Sequence, residues 1–254
     1  MAMINGYPVI NDAYSHPVNG RGYTGRDLTA YPLGKCGGMY AEPIFTDQQI
    51  RDIIVAKDAD KSWITDHCDR IGLTVKNQQN SNYCWNHAPI HGAEVCYCMA
   101  GDGKIVLSAF YGAAIIKNGR NQGGSGIVGI EWNQNNGACT EALHPSMDFS
   151  TNNSAEAKAD ALRHKIIGYE EIEPSDHRMI QTAVCCNHGV TVGIPDWGHE
   201  VLIVRLTIAN GKIMYIIDNS WGTSWGNNGR GILEGRRTIF DEAGVIRSCT
   251  PSLN

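Results

Sequence analysis

The sequence predicts an α+β fold, with helices before about residue 190 and antiparallel strands after it. Three observations carry this. First, the polar run 75–83 ends at Cys84-Trp85, and residues 84–99 then read as a long helix with Ile90, Ala93 and Tyr97 turned inward. Second, Gly189–Ile194, 201–206 and 213–218 are short β-branched runs of strand length. Third, Asn210-Gly211 separates the last two, and that dipeptide favours a tight hairpin turn.

Taken in order, residues 1 to about 44 sustain no hydrophobic period. Gly20-Arg21-Gly22 and the Gly-rich run 34–38 mark turns, so an irregular N-terminal arm is expected. Thr46-Asp47-Gln48-Gln49 has the form of a capping box, and Ile50, Ile53 and Ile54 share one face, which predicts a short helix over 47–57. Pro89 falls past the first turn of the 84–99 helix, removes one N–H and predicts a kink near 85–89. Residues 126–133 read as helix and 137–149 as loop. Residues 155–167 and 174–186 read as two further helices. The domain expectation is an arm over 1–60, able to occlude or dock, and a catalytic body over 61–254.

A cysteine at a helix N-terminus meets unpaired N–H groups and the positive end of the dipole, which stabilise a thiolate. Gln78 lies six positions before Cys84. His199 opens the 201–206 strand, and Asn219 follows the 213–218 strand. The hairpin makes His199 and Asn219 cross-strand neighbours by geometry alone. Gln78, Cys84-Trp85, Gly198-His199 and Asn219-Ser220-Trp221-Gly222, in that order, resemble the papain-like cysteine peptidases.

That resemblance spans about 63–250 and implies a papain-like two-lobed fold: a helical lobe, and an antiparallel β-barrel-like lobe. It implies an entry strand over 69–78 and a closing strand over 230–234. Cys84 would be the nucleophile and His199 the acid–base partner. Asn219 would orient the imidazole, and Gln78 would donate to the oxyanion. Trp221 would cover the His–Asn bond and border the substrate site. Gly123 and Gly124 would let a peptide pair as an extended strand. His87 and His91 flank the nucleophile but point along the helix. The activity implied is peptide hydrolysis through an acyl-thioester on Cys84, with a polypeptide as partner. The alternatives are an inactive docking component of a larger assembly, such as a virion, and an acyltransferase on the same thioester. The arm is expected to pack on its own cleft or on a partner.

Composition narrows the rest. The 254-residue chain is 42% hydrophobic and 19% charged with a net charge of −5, so it can bury a core and has no general affinity for nucleic acid. No apolar run is long enough to span a membrane. No basic and apolar leader is seen at the start, so an intracellular location and reduced thiols are expected, and the sequon at Asn152 is read as silent. Zinc on Cys96-Tyr97-Cys98 is disfavoured because no paired Cys-x-x-Cys knuckles occur. Neither a metal nor a cofactor is expected.

Overall fold

A computed structural model describes residues 2–14, 21–26, 29 and 44–251. In chain order the elements are β1 (Met3–Ile4), β2 (Tyr7–Ile10), α1 (Asp47–Asp60), α2 (Ile64–Ile71), α3 (Cys84–Ala100), α4 (Ala109–Ile116), α5 (Gly126–Asn136) and α6 (Ala155–Ala161). There follow β3 (Ile166–Glu171), α7 (His177–Cys185), β4 (Val190–Ile194), β5 (His199–Ala209), β6 (Lys212–Asp218), β7 (Arg230–Leu233) and β8 (Glu242–Cys249). The strands form one sheet in the order β1-β2-β7-β6-β5-β4-β8-β3, antiparallel except where β2 runs parallel to β7. The α+β expectation therefore holds.

Nearly every side chain of α3 is buried, from Cys84 to Cys98, because the helix packs against β5 and β8 and is flanked by α2, α4 and α5. Gly92 permits this approach: a Cβ there would meet Ile246 Cδ1 at 2.9 Å and Leu202 Cδ1 at 3.3 Å. The helix runs uninterrupted across Pro89, so the expected kink does not break it. Pro89 leaves the Trp85 carbonyl without its helical donor. Side-chain-free Gly129 of α5 lies close to both that carbonyl and the proline ring.

The α1 capping box forms as predicted, and the helix continues to Asp60. Its Ile50 and Ile54 join the large core under β4, β5 and β6 together with Ile180, Val184 and Ile203. The helix thus belongs to the β lobe and not to an arm over the cleft. The start of the chain is also more ordered than its composition suggested. Val9 and Ile10 pair with Ile232 and Leu233, and Tyr14 packs edge-on against Trp197 and Trp225. Gly20 of the first turn read in the arm, and the whole run 34–38, lie outside the described residues. Two further readings are corrected. Residues 69–71 close α2, which Gly72 terminates with a left-handed φ of 70°, and residues 73–78 form only a single bridge, from Asn77 to Trp221, instead of an entry strand. The 155–167 helix stops at Ala161, and Ile166 begins β3, paired with Cys249.

One buried polar clamp ties the helices to the sheet. His91 of α3 bridges Glu94 (2.9 Å) and Asp218 of β6 (3.0 Å), Asp218 also accepts from Arg230 of β7, and Arg230 holds Asp69 of α2 through both its Nη atoms at 2.8 Å. Although burial opposes its charge, the two carboxylates raise His91 to about 9, and Asp218 is held below the usual carboxylate range. A raised histidine contributes its full stabilisation below its ordinary value near 6.5 and loses it as pH rises through about 9. His91→Ala should cost roughly 3 kcal/mol in urea unfolding at neutral pH, since it strands buried carboxylates. The wild type should lose stability between about pH 7 and 10, and the variant should lose less over the same interval.

Candidate active site

Cys84 is the first residue of α3 and Tyr83 is its N-cap, with no side chain capping the first turn and no acid in it. The helix start is fixed by aromatic packing of Tyr83, Trp85, Phe110 and Phe149. Two hydrogen bonds pin it to the Gly-rich loop: Tyr83 Oη to the Arg120 carbonyl (2.8 Å) and Trp85 Nε1 to the Gln122 carbonyl (3.2 Å). Gly124 lies flat on the Trp85 indole, where a Cβ would come within 2.6 Å of the ring.

His199 and Asn219 come from opposite sides of the hairpin, whose Asn210 and Gly211 both take positive φ as a tight turn requires. The β5–β6 ladder ends at Leu202 opposite Asp218. Asn219 is thus level with Val201, and His199 is its diagonal cross-strand neighbour on the same face. The contact is nonetheless made: His199 Nε2 lies 2.7 Å from Asn219 Oδ1. That oxygen also accepts from the Ser220 backbone N–H at 2.8 Å, so the amide cannot be turned around without opposing two donors. Nε2 therefore carries the hydrogen, and Nδ1 of the neutral ring carries the lone pair. Nδ1 is buried and has no hydrogen-bond partner.

Trp221 covers the ring with centroids 4.7 Å apart, and Trp197, which the sequence reading passed over, meets it edge-on at 4.9 Å. Only position could have flagged Trp197, two residues before His199. Gln78 is fully buried: Nε2 donates to the Ser81 carbonyl at 2.7 Å, and Oε1 accepts from Ser220. The turn carrying Asn219 thereby also fixes Gln78. His87 faces the Tyr83 carbonyl and is pushed down to about 3 by burial, so it stays neutral. Among the described residues no group of three metal-binding side chains occurs; Cys98 faces Cys68 at 3.8 Å, and Cys96 faces Cys249, so the two sulfurs of the weighed zinc motif serve different neighbours.

The N-terminal segment lies directly on this site. The Gly22 N–H donates to Cys84 Sγ at 3.2 Å. Gly124 N donates to the Gly22 carbonyl (2.7 Å), Thr24 N donates to the Gly124 carbonyl (3.0 Å), and Tyr23 N donates to the Gly198 carbonyl (3.2 Å). Tyr23 and Gly124 thus form a parallel β-bridge. Gly123 lies against Gly22, where a Cβ would be 2.2 Å from the Gly22 carbonyl oxygen. Under this cover Cys84 and His199 have no solvent exposure. Burial raises the Cys84 thiol to about 11 even though the Gly22, Glu200 and Trp85 backbone donors favour the thiolate. Burial also lowers His199 to about 4 against the pull of Asn219. The covered pair is therefore thiol and neutral imidazole at neutral pH.

With this geometry in place, comparison with known proteins is direct. The family model described as papain family cysteine protease matches residues 194–239, the stretch holding His199 and Asn219. Cysteine proteinase 3 of Dictyostelium discoideum is 32% identical over 117 residues, 38% of this chain and 34% of that protein. The chain thus spans about a third of that relative's length. The solved structure of digestive procathepsin L 3 from Tenebrio molitor larval midgut superimposes with a TM-score of 0.57 at 18% identity, covering 71% of this chain and 66% of that one. Recombinant stem bromelain precursor gives 0.59 at 19% identity, covering 84% and 76%. In fold the chain is similar to the papain-like cysteine peptidases, and over residues 194–239 its sequence matches their family model.

Gly22 is where the cover is most sensitive: a Cβ there would lie 1.8 Å from the Asn82 carbonyl oxygen, which is backbone and cannot move aside cheaply. Gly22→Ala should unseat the segment and raise the rate at which iodoacetamide alkylates Cys84 near neutral pH by about tenfold or more. Mass spectrometry of the Cys84 peptide reads this directly.

Proposed function

We propose that the chain is a latent cysteine peptidase, in which Cys84 and His199 hydrolyse peptide bonds once residues 21–26 leave the cleft. The observation that carries this is the His199 ring: Nε2–H is committed to Asn219, while the lone-pair nitrogen Nδ1 is buried and unpartnered, one residue before Glu200, whose backbone donates to the Cys84 sulfur. A ring held that way is a base without a proton donor, and in this reading the thiol of Cys84 gives it the proton.

With the cleft open to water, the desolvation that holds the pair neutral falls away. The Cys84 proton passes to His199 Nδ1, and the helix N-terminus and backbone donors hold the thiolate. The sulfur attacks the substrate carbonyl carbon, and the electron pair moves onto oxygen. In this reading the Cys84 N–H and the second Gln78 Nε2 hydrogen donate to that oxyanion. As the C–N bond breaks, Nδ1–H passes to the leaving amine, which leaves an acyl-thioester on Cys84. Nδ1 then takes a proton from water as its oxygen attacks the thioester. Collapse releases the acid, and the sulfur leaves as thiolate. Asn219 keeps the ring in one plane throughout, and Trp221 keeps their hydrogen bond dry.

The covering segment fits a latch better than a substrate. What it brings to the sulfur is an N–H hydrogen and not a carbonyl carbon, so no attack can follow. Its neighbours by fold bear the names procathepsin and precursor, which agrees with that reading. The Gly123-Gly124 edge holds the latch as it would hold a substrate strand, by main-chain pairing.

Wild type, Gly22→Ala and Gly22→Ala with Cys84→Ala should be assayed on a casein digest and a blocked peptide library. Peptide hydrolysis should be weak in the first, strong in the second and absent in the third. Cleavage that survives Cys84→Ala would overturn the assignment. Gln78→Ala in the unlatched background should lower kcat by ~10²–10³ with a smaller change in KM, since in this reading the substrate meets its amide only at the oxyanion.

A further inference from the structure

The far end of α3 carries chemistry that the site at its start does not use. Cys96 and Cys98 stand two apart near the C-terminal end of the helix. Residues two apart on an α-helix point about 200° from one another, so the two thiols face opposite sides. Each meets another cysteine there. Cys98 Sγ lies 3.8 Å from Sγ of Cys68, on α2. Cys96 meets Cys249, the last residue of β8, whose Sγ also reaches the Ala93 carbonyl, one turn earlier on α3, at 3.9 Å. Four of the nine cysteines thus form two thiol pairs on one helix. Packing alone does not ask for this. Cys139, buried with Tyr111, Ala157 and Ala161, is what a cysteine used as a small apolar filler looks like.

Both pairs suit a covalent link. Sulfurs already in contact approach the bonded separation of about 2.05 Å by rotation about χ1 at the two residues. The pairs differ in access. Cys68 and Cys98 are 1% and 9% exposed, so their bond closes as α2 docks on α3. Cys96 and Cys249 instead line a cavity of about 400 Å³, which Cys186, His188 and Gly92 share. Cys249 donates its S–H to Cys96 and so favours the Cys96 thiolate, the form that attacks a disulfide.

We propose that Cys68–Cys98 and Cys96–Cys249 are disulfide sites that staple α3 to α2 and to β8, with small-molecule disulfides such as oxidised glutathione as the oxidant they take. The proposal is independent of the peptidase reading, and it stands against the reduced thiols expected from the sequence. In the cavity the Cys96 thiolate attacks one sulfur of the reagent. The reagent's S–S bond breaks, and one glutathione leaves as thiolate and takes a proton. The Cys249 thiol gives its proton to solvent, attacks the Cys96 sulfur of the mixed disulfide and expels the second glutathione, which is protonated in turn. Two protein thiols are oxidised, and one disulfide is reduced to two thiols. Cys68 and Cys98 exchange in the same way before α2 closes over them. One link closes a loop of 30 positions and the other a loop from Cys96 to Cys249, so both restrict the unfolded chain far more than the folded one.

The test uses the full chain with Cys84→Ala, which removes the nucleophile from the exchange. The protein is folded and equilibrated in glutathione buffers from fully reduced to mostly oxidised, quenched in acid and alkylated in denaturant. Chymotrypsin then cleaves after Tyr97 and so separates Cys96 from Cys98. Mass spectrometry should find Cys68 joined to Cys98 and Cys96 joined to Cys249 at the oxidised end, and all four alkylated at the reduced end. The oxidised protein should melt at least about 5 °C above the reduced one. Cys68→Ala should lose the first link alone and Cys249→Ala the second alone, each keeping part of that gain relative to the same variant reduced. Four alkylated thiols at the oxidised end, or Cys96 joined to Cys186, overturns the assignment. A single link found leaves only that pair assigned, and links that form without raising the melt overturn the stapling of α3.

Discussion

The site depends on one hydrogen bond, from His199 Nε2 to Asn219 Oδ1. It fixes which ring nitrogen is protonated, and so which one is left to act as base. Its acceptor is itself held by the Ser220 N–H, and Ser220 Oγ holds Gln78. One short turn after β6 therefore orients the His199 ring and the Gln78 amide together. The indoles of Trp197 and Trp221 enclose the bond, and in their low dielectric it is stronger than it would be in water.

Around that bond the molecule is assembled from two kinds of close approach. The helical side reaches the sheet through Gly92 and through the His91–Asp218–Arg230–Asp69 clamp, one residue before Asn219. The latch reaches the cleft through Gly22, Gly123 and Gly124, none of which could carry a side chain in this arrangement. The same absence of side chains that admits the latch admits an extended substrate. On the proposed reading, latency and catalysis share one strand-pairing edge, and the difference lies in which backbone group meets the sulfur.

Much of this was legible in the sequence, and the reasons are specific. Cys84-Trp85 at a helix start, Asn210-Gly211 between two β-branched runs, and the Thr46 capping box are local signals whose physics needs no tertiary context. The Cys84, His199, Asn219 and Gln78 placements rested on the same signals read together with a family likeness. What was not legible depended on distant partners. Residues 2–14 look irregular alone because their order comes from β7 and from Trp225. Ile166 reads as helix by period, yet it is claimed by Cys249 across the sheet. Glu200 and Glu242 lie 42 positions apart and meet only because β4 lies between their strands with a glycine at the shared level.

The central claim is that the His199 ring is a neutral, Nε2-protonated base while the latch is down and becomes an imidazolium opposite a thiolate when it lifts. Nitrogen-15 NMR of histidine-labelled protein measures both the tautomer and the charge. The full chain near neutral pH should show His199 neutral with its hydrogen on Nε2. Gly22→Ala should shift it to the doubly protonated form, and adding Cys84→Ala should return it to neutral. A hydrogen on Nδ1, or a His199 signal indifferent to both changes, would contradict the account.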